Sequence, residues 1–374
     1  MRYASLCAIV KDEDRDIREW LAYHLAIGFE HVLLYDNKSR VPLRATLADL
    51  VAAGLVTVMD WPLVRAQQLS AYAHALRHSG AATKWLAFID VDEFIQPLLH
   101  DDIRDFLDEY ADCGAVGANW SMFGSAGHMA RPEGPVLARY TQSLGLDPHI
   151  KSIVQPATVQ RPVSAHHFAF RAGHCCVNED RVPIADFMTY PLAGKIQINH
   201  YYYKSQQDFQ DKIERGLVTQ MKSGAERKMQ SFYAHLAEPV SPDERILRFL
   251  PRMQKFLDLP AHALAAEVRR GQEPDVDAVA RDMALALEAD AFEEALRMGR
   301  MLSRSQPGLD LSPLERMAAK APDRLLKLKN AIVARMRQPG LPVSALRECY
   351  QELAEYYAAS GRPQVAFAIR EWLG

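Results

Sequence analysis

The sequence has few cysteines, no long apolar run and no excess of basic residues. Its five cysteines lack the C-x-x-C spacing of a zinc site and the density of a disulfide framework. No apolar stretch approaches the length of a membrane span, and the apolar N-terminal segment is too short for an export signal. A formal charge of −3 argues against nucleic-acid binding. These absences predict a cytoplasmic protein without a transmembrane segment, and they leave peripheral contact with a membrane open.

The remaining composition is that of a globular protein, with 49% hydrophobic and 24% charged residues in 374. Apolar, β-rich segments begin near Tyr3, His31, Val56 and Lys84, and amphipathic stretches lie between them, a rhythm typical of βαβ units. Ligands in such sheets bind at the carboxyl ends of the strands. We therefore expect one crevice where four polar segments meet. These segments are Lys11–Glu13, Asp36–Ser39, Asp60–Trp61 and Asp90–Asp92.

The last third of the chain changes in composition. From about Asp243 the sequence is rich in Ala, Leu, Glu and Arg, which predicts helices. The breaks at Pro239 to Pro242 and near Gln272 to Pro274 are the candidate boundaries. We predict an α/β domain over residues 1–240 and an α-helical region over residues 241–374 that docks a partner or serves the acceptor side.

An apolar strand that stops at three carboxylates is the strongest local signal. It runs from Trp85 to Phe94, and Asp90 and Asp92 are two positions apart, so on a strand end they would point the same way. Carboxylate oxygens are hard ligands that suit Mn²⁺ or Mg²⁺. The alternative to a metal site is a strand that ends in a solvated acidic turn. His200 follows a strand-like segment and could complete the metal site, or it could be a half-buried structural histidine.

Further charged residues suggest roles in group transfer. Lys204, Lys212 and Arg215 have helix-compatible spacing and could neutralise a diphosphate leaving group, unless they form an ordinary solvated face. Glu179 and Asp180 are candidates for the general base that a hydroxyl acceptor needs, and ordinary surface carboxylates are the alternative.

Several strings recur together in a known group. They are Lys11-Asp12-Glu13, Glu19 to Gly28, Leu34 to Ser39, Trp85 to Phe94, Phe123 to His128, Lys151 to Val154, His166-His167, Asn199 to Ser205 and Lys212 to Gly216. Together they resemble the GT-A glycosyltransferases, specifically the glycosyltransferase family 2-like and family 92 group, formerly a domain of unknown function. The resemblance covers roughly residues 1 to 235. Asp12 departs from the Lys-Asn-Glu string that is more frequent in this group.

The resemblance implies an α/β GT-A fold, a Rossmann-like nucleotide-diphospho-sugar transferase domain followed by an α-helical C-terminal extension. It implies that Glu13 and Asp36 hold the nucleoside and that Asp90 approaches ribose and sugar. Asp92 would contact a divalent ion that bridges the diphosphate, with His200 completing the shell. The implied metal ligands are Asp90, Asp92 and His200. The implied donor-binding residues are Lys11, Glu13, Asp36, Asn37, Ser39, Asp90, Lys204, Lys212 and Arg215. The segment with Glu179 and Asp180 is similar to the motif that carries the base in inverting members.

The predicted function is transfer of a sugar, with inversion, from a uridine diphosphate sugar to a hydroxyl of a glycan or glycolipid, with Mn²⁺ or Mg²⁺ as cofactor. One alternative is a metal-dependent phosphohydrolase with Asp90 as nucleophile. Phe94 stands where such enzymes have Ser or Thr, and three strands precede the motif. Another alternative is an inactive GT-A-like scaffold or binding protein, against which the presence of Asp90, Asp92 and His200 argues.

Overall fold

The computed structural model describes residues 1–63, 67–79, 81–215, 225–270, 279–280, 283, 292–304, 309, 311–312, 324–336, 338 and 342–373. The break predicted near Gln272 to Pro274 lies outside these residues. The strands are β1 (Arg2–Val10), β2 (His31–Asp36), β3 (Val56–Asp60), β4 (Thr83–Phe88), β5 (Glu93–Pro97), β6 (Ala115–Phe123), β7 (Gln142–Val154), β8 (Val159–Pro162), β9 (Phe168–Phe170), β10 (Cys176–Val177), β11 (Pro183–Ile184), β12 (Ile196–His200) and β13 (Ser241–Pro242).

The described helices alternate with the first strands and then follow one another in the last third. They are α1 (Ile17–Ala26), α2 (Leu43–Thr46), α3 (Ala48–Ala52), α4 (Gln67–Ser79), α5 (Ile103–Asp108), α6 (Val136–Arg139), α7 (Gln206–Arg215), α8 (Ala225–His235), α9 (Leu250–Asp258), α10 (Ala261–Arg270), α11 (Phe292–Ser303), α12 (Arg324–Met336), α13 (Val343–Ala359) and α14 (Pro363–Leu373). Short 3₁₀ helices span Pro156–Thr158 and Arg245–Phe249.

One large mixed sheet organises the α/β part. Its strand order is β11-β10-β6-β7-β4-β1-β2-β3, and β12 extends it by pairing with β6 and β5. Strands β1 to β4 pair in parallel, whereas β7 runs antiparallel between β4 and β6. β1 and β2 are buried almost throughout, as expected for parallel strands with both faces covered. The predicted α/β class is therefore confirmed.

The helix α1 fixes the region after β4. Its Trp20 indole donates to the carbonyl of Glu93 at 2.8 Å, and the Tyr23 hydroxyl donates to the carbonyl of Ile95 at 2.7 Å. Gly28 ends the helix with φ +108°, and a Cβ at this position would collide with the Asp102 carboxylate. Both the turn and the close approach therefore require glycine.

The main hydrophobic core includes residues beyond the predicted domain boundary. Ile246, Phe249, Met253 and Phe256 are buried in the same cluster as the β1 and α1 side chains, and β13 pairs with β7. The boundary predicted after residue 240 therefore cuts across this core. The local Pro-rich break does not reveal that later residues return to cover α1.

The last two helices pack on a segment between β10 and β12. Tyr350, Leu353 and Tyr357 of α13 are buried in one cluster with Tyr190 and Leu192. In the part of the chain that the structure describes, no helix combines the length and the apolarity that crossing a bilayer demands.

Candidate active site

A cleft of about 840 Å³ opens where the first parallel strands end. The strand ends coincide, because Val10 pairs with Asp36 and Asp36 with Asp60. One wall is the loops after β1 and β2, and the other is α7 with the segment after β12. Predicted site residues that line this cleft are Lys11, Glu13, Asp92, Lys204, Lys212 and Arg215.

Asp92 is an acidic centre of this cleft. The Lys212 ammonium lies 2.7 Å from its Oδ2, and His200 Nε2 lies 3.7 Å from the same oxygen. Burial alone would raise the pKa of Asp92, but the charges of Lys212 and His200 outweigh it and hold that pKa well below its usual range. Lys212 also lies 3.9 Å from the centre of the Tyr202 ring, so a cation–π contact fixes its position.

Asp90 faces different partners from Asp92. Its Oδ2 lies 2.8 Å from Lys151 Nζ, and Gln68 donates to its Oδ1 at 3.2 Å. The expectation that both aspartates point the same way is wrong. β4 ends at Phe88, and Asp90 to Asp92 form a turn into β5, where the alternation of a strand does not apply.

The buried Lys151 side chain stabilises this turn. It is 1% exposed and lies between Asp90 and Glu93, whose Oε1 is 3.5 Å from Nζ. Burial alone would lower the pKa of Lys151, but the two carboxylates raise it above its usual value. Glu93 also accepts the Asp90 backbone N–H at 3.0 Å. Lys151 is a site residue that was not predicted, and the sign of it in the sequence is a cation inside the largely apolar run from Ile150 to Val154.

Three predicted donor-binding residues stabilise the loop after β2. The Asp36 carboxylate accepts the backbone N–H groups of Ser39 and Leu43, each at 2.9 Å. Asn37 Nδ2 donates to the carbonyls of Trp61 and Leu63, and Ser39 Oγ accepts the N–H of Asp12 at 3.0 Å. These side chains shape the loop rather than line the cleft.

The end of α7 is tied to the loop after β1. Arg215 forms an ion pair with Glu13 at 2.6 Å and donates to the carbonyl of Asp12 at 2.9 Å. Lys11 Nζ donates to the Arg215 carbonyl at 3.1 Å. Burial raises the pKa of Glu13 against the opposing charge of Arg215. These contacts join the two walls of the cleft.

Lys204 belongs to a second ionic group deeper in the cleft. Its Nζ lies 2.5 Å from Asp16, which also pairs with Arg131 and, at 3.4 Å, with Arg139. Burial would raise the pKa of Asp16, but these cations hold it below its usual range. Asp16 and Arg131 were not predicted as site residues, because their pairing joins distant parts of the chain.

Glu179 and Asp180 have structural partners instead of an open cleft. The Glu179 carboxylate accepts backbone N–H groups of Gly194, Lys195 and Ile196 at 2.8 to 3.2 Å, and burial raises its pKa. Asp180 accepts the Tyr357 hydroxyl at 2.7 Å and pairs with Arg362 at 2.9 Å.

The partners of Glu179 lie at the far end of β12 from His200. Ile196 begins this strand and His200 ends it, about 13 Å further along. The geometry of Glu179 and Asp180 does not support the predicted base role.

Two of the three predicted metal ligands converge. Asp92 and His200 are adjacent, and His200 Nδ1 is buried without a hydrogen-bond partner among the described residues. Asp90 does not join them, because Lys151 and Gln68 hold its carboxylate. Across the described ranges, no group of three or more His, Cys, Asp or Glu side chains has a metal-binding arrangement. The donor set fits a divalent ion held by two protein ligands, with further oxygens coming from elsewhere.

Comparison with known proteins identifies the family. The family model for glycosyltransferase family 92 matches residues 5–232. A family 92 protein of Ricinus communis is 28% identical over 221 residues, which cover 57% of this chain and 38% of that protein. One of Oryza sativa subsp. japonica is 28% identical over 220 residues, covering 57% and 35%. The match therefore spans little more than a third of the length of these relatives.

Among solved structures, S. aureus TarS aligns with 99% of this chain and 90% of its own, at 12% identity and a TM-score of 0.33. The family model matches more than half of the sequence. The chain belongs to glycosyltransferase family 92.

Proposed function

We propose that the protein is a metal-dependent glycosyltransferase that transfers a sugar, with inversion, from a uridine diphosphate sugar to a hydroxyl of a glycan or glycolipid. The observation that carries the proposal is the position of Asp92 in the large cleft at the strand ends, in contact with Lys212 and His200. Family membership supports the reaction class. A GT-A fold is part of the proposal, supported by the sheet order around β4 and the turn that follows it.

The charges of the cleft support a diphosphate ligand that arrives with a cation. Among the described residues, eight Lys and Arg side chains and eight Asp and Glu side chains line it, so their formal charges cancel. A diphosphate added alone would leave the cleft negative. A divalent ion would restore the balance, and Mn²⁺ or Mg²⁺ prefers the oxygen ligands that diphosphate provides.

Asp92 and His200 would hold that ion, and its chemistry would be to offset charge that develops on the leaving diphosphate. Cationic side chains of the protein would contact the diphosphate and keep the donor in place. Lys212 lies 2.7 Å from Asp92 and would turn to the diphosphate once the carboxylate has another partner. Arg215 and Lys11 hold α7 across the cleft and would keep the donor in place. Asp90 would approach the ribose and sugar from a turn that Lys151 supports.

The test is release of UDP from UDP-glucose, UDP-galactose and UDP-N-acetylglucosamine, with methyl glycosides as acceptors and with either Mn²⁺ or EDTA. The proposal expects metal-dependent UDP release that Asp92→Asn abolishes. Asp49→Asn is the matched control, because it makes the same change in an exposed ion pair with Arg18. No release from any donor by a folded wild type would overturn the proposal. Release of inorganic phosphate instead would favour the phosphohydrolase, and binding without turnover would favour the scaffold.

A further inference from the structure

A group of half-exposed rings lies beside the proposed donor site. It consists of Trp120, His149, His166 and Phe187, called here the ring surface. The Trp120 ring lies 4.4 Å from that of His200, which contacts Asp92, and 5.2 Å from that of His149 in a stacked arrangement. A chain of direct contacts thus leads from Asp92 through His200 and Trp120 to His149.

His149 has the arrangement of a general base. Asp147 Oδ1 lies 2.7 Å from His149 Nδ1 and also accepts the His149 backbone N–H at 2.9 Å. Because a carboxylate only accepts hydrogen bonds, Nδ1 carries the proton and Nε2 is the basic nitrogen. His149 makes no hydrogen bond through Nε2 to the residues that the structure describes. The side chains of His149 and Asp147 are 35% and 33% exposed, so a ligand can reach them.

We propose that the ring surface receives the acceptor saccharide and that His149, oriented by Asp147, takes the proton of its attacking hydroxyl. This inference rests on the proposed glycosyltransferase function and assigns the base that Glu179 and Asp180 do not provide. Aromatic rings give a saccharide apolar contact, and a few polar groups fix its orientation, which is the composition of many ligand sites. Trp120 connects this surface to His200, so the acceptor would lie next to the donor's sugar.

The neighbouring imidazole is less suited to the role. His166 Nδ1 donates to the carbonyl of Ile150 at 2.8 Å, a neutral partner that does not offset a second proton. Burial and the nearby charge of Lys151 lower the pKa of His166 to about 4, which makes it a weak base at neutral pH. His149 differs from His166 because its partner is a carboxylate, which stabilises the imidazolium that forms.

The step balances without another reactant. The acceptor oxygen forms a bond to the anomeric carbon of the donor sugar as the bond from that carbon to the diphosphate oxygen breaks. The bonding electron pair leaves with UDP. The hydroxyl proton moves to His149 Nε2, the imidazolium is stabilised by Asp147, and the proton then passes to water at the exposed edge of the ring.

The test uses the full chain with the donor and methyl glycoside pair that the wild type turns over fastest. His149→Ala is expected to lower kcat at least about 100-fold, the usual contribution of a general base. The Kd of UDP with Mn²⁺, measured by calorimetry, should stay within about twofold, because His149 lies outside the donor cleft. Added imidazole should restore part of the lost rate, which a structural role would not produce. His167→Ala is the matched control, since the neighbouring histidine points to Phe170 and lies outside the ring surface.

Each outcome separates the two proposals. If the wild type uses no donor and acceptor pair, both the proposed function and this inference are overturned. If the wild type is active and His149→Ala has an unchanged kcat, only the inference is overturned. A rate loss that imidazole does not restore, with a lowered melting temperature, assigns His149 a structural role. Loss in His166→Ala but not in His149→Ala would transfer the role to His166.

Discussion

Replacing Lys151 with methionine tests the ionic support of the Asp90 turn. The change removes an almost fully buried ammonium that lies 2.8 Å from Asp90 and 3.5 Å from Glu93. Removing one partner of a buried ion pair costs about 3 to 5 kcal/mol, because a buried charge loses its compensation. Asp90 is 37% exposed and regains water, and burial already raises the pKa of Glu93, so that carboxyl can take up a proton. We therefore expect Lys151→Met to lower the free energy of unfolding by about 3 kcal/mol, the lower end of this range.

The assay is guanidinium unfolding followed by tryptophan fluorescence and circular dichroism, with the slope m compared between variants. Lys195→Met is the matched control, because Lys195 pairs with Glu109 at 2.7 Å but is 34% exposed. Such a pair contributes less than about 1 kcal/mol. Glu93→Gln in the Lys151→Met background should recover part of the loss, since the neutral amide needs no buried cation.

Two results would show that Lys151 does not stabilise the turn in this way. One is a Lys151→Met variant within about 0.5 kcal/mol of the wild type at unchanged m, which would mean that the ammonium does not stabilise the fold. The other is an equal loss in the presence and absence of Glu93→Gln, which would mean that Lys151 and Glu93 are not coupled.

Three further predictions concern His200, Glu19 and Asp180. His200→Ala should weaken Mn²⁺ affinity in the presence of UDP by about 10-fold at an unchanged metal-free melting temperature; a normal titration with a lowered melting temperature would make His200 structural. Burial and Asp16 raise the pKa of Glu19 from 4.5 to about 7, so the contribution of Glu19 to stability falls as pH rises between these values. Glu19→Gln should match the wild type at pH 4 and be about 1 to 3 kcal/mol more stable at pH 8 in denaturant melts, whereas equal stability at both pH values would contradict the shift. Asp180→Ala should cost about 1 to 3 kcal/mol by leaving Tyr357 and Arg362 unpaired, and lost turnover in a folded variant would return the base role to Asp180.

The first half of the fold could be predicted from local patterns. The apolar segments starting near Tyr3, His31, Val56 and Lys84 correspond to β1, β2, β3 and β4. Parallel strands covered on both faces appear as continuous apolar runs, which can be recognised without knowledge of distant residues. The polar segments at their ends then had to meet at one edge of the sheet.

The remaining features depend on contacts between distant residues. Lys151 was missed because a fully buried lysine is rare and is explained only by the carboxylates of another strand. Glu179 and Asp180 resemble a catalytic pair locally, but their partners lie at Gly194 to Ile196 and at Tyr357. The return of Phe249 and Phe256 to the main core after a Pro-rich break also depends on distant contacts, which a local break in the sequence does not reveal.

We propose that the cleft around Asp92 binds a nucleotide diphosphate together with a divalent ion, and calorimetric titration of UDP into the protein, in Mn²⁺ and then in EDTA, measures this binding. We expect binding in Mn²⁺ that weakens at least about 10-fold in EDTA, since the lining charges of the cleft already cancel. Equal affinity in both buffers, or no binding in either, would contradict it.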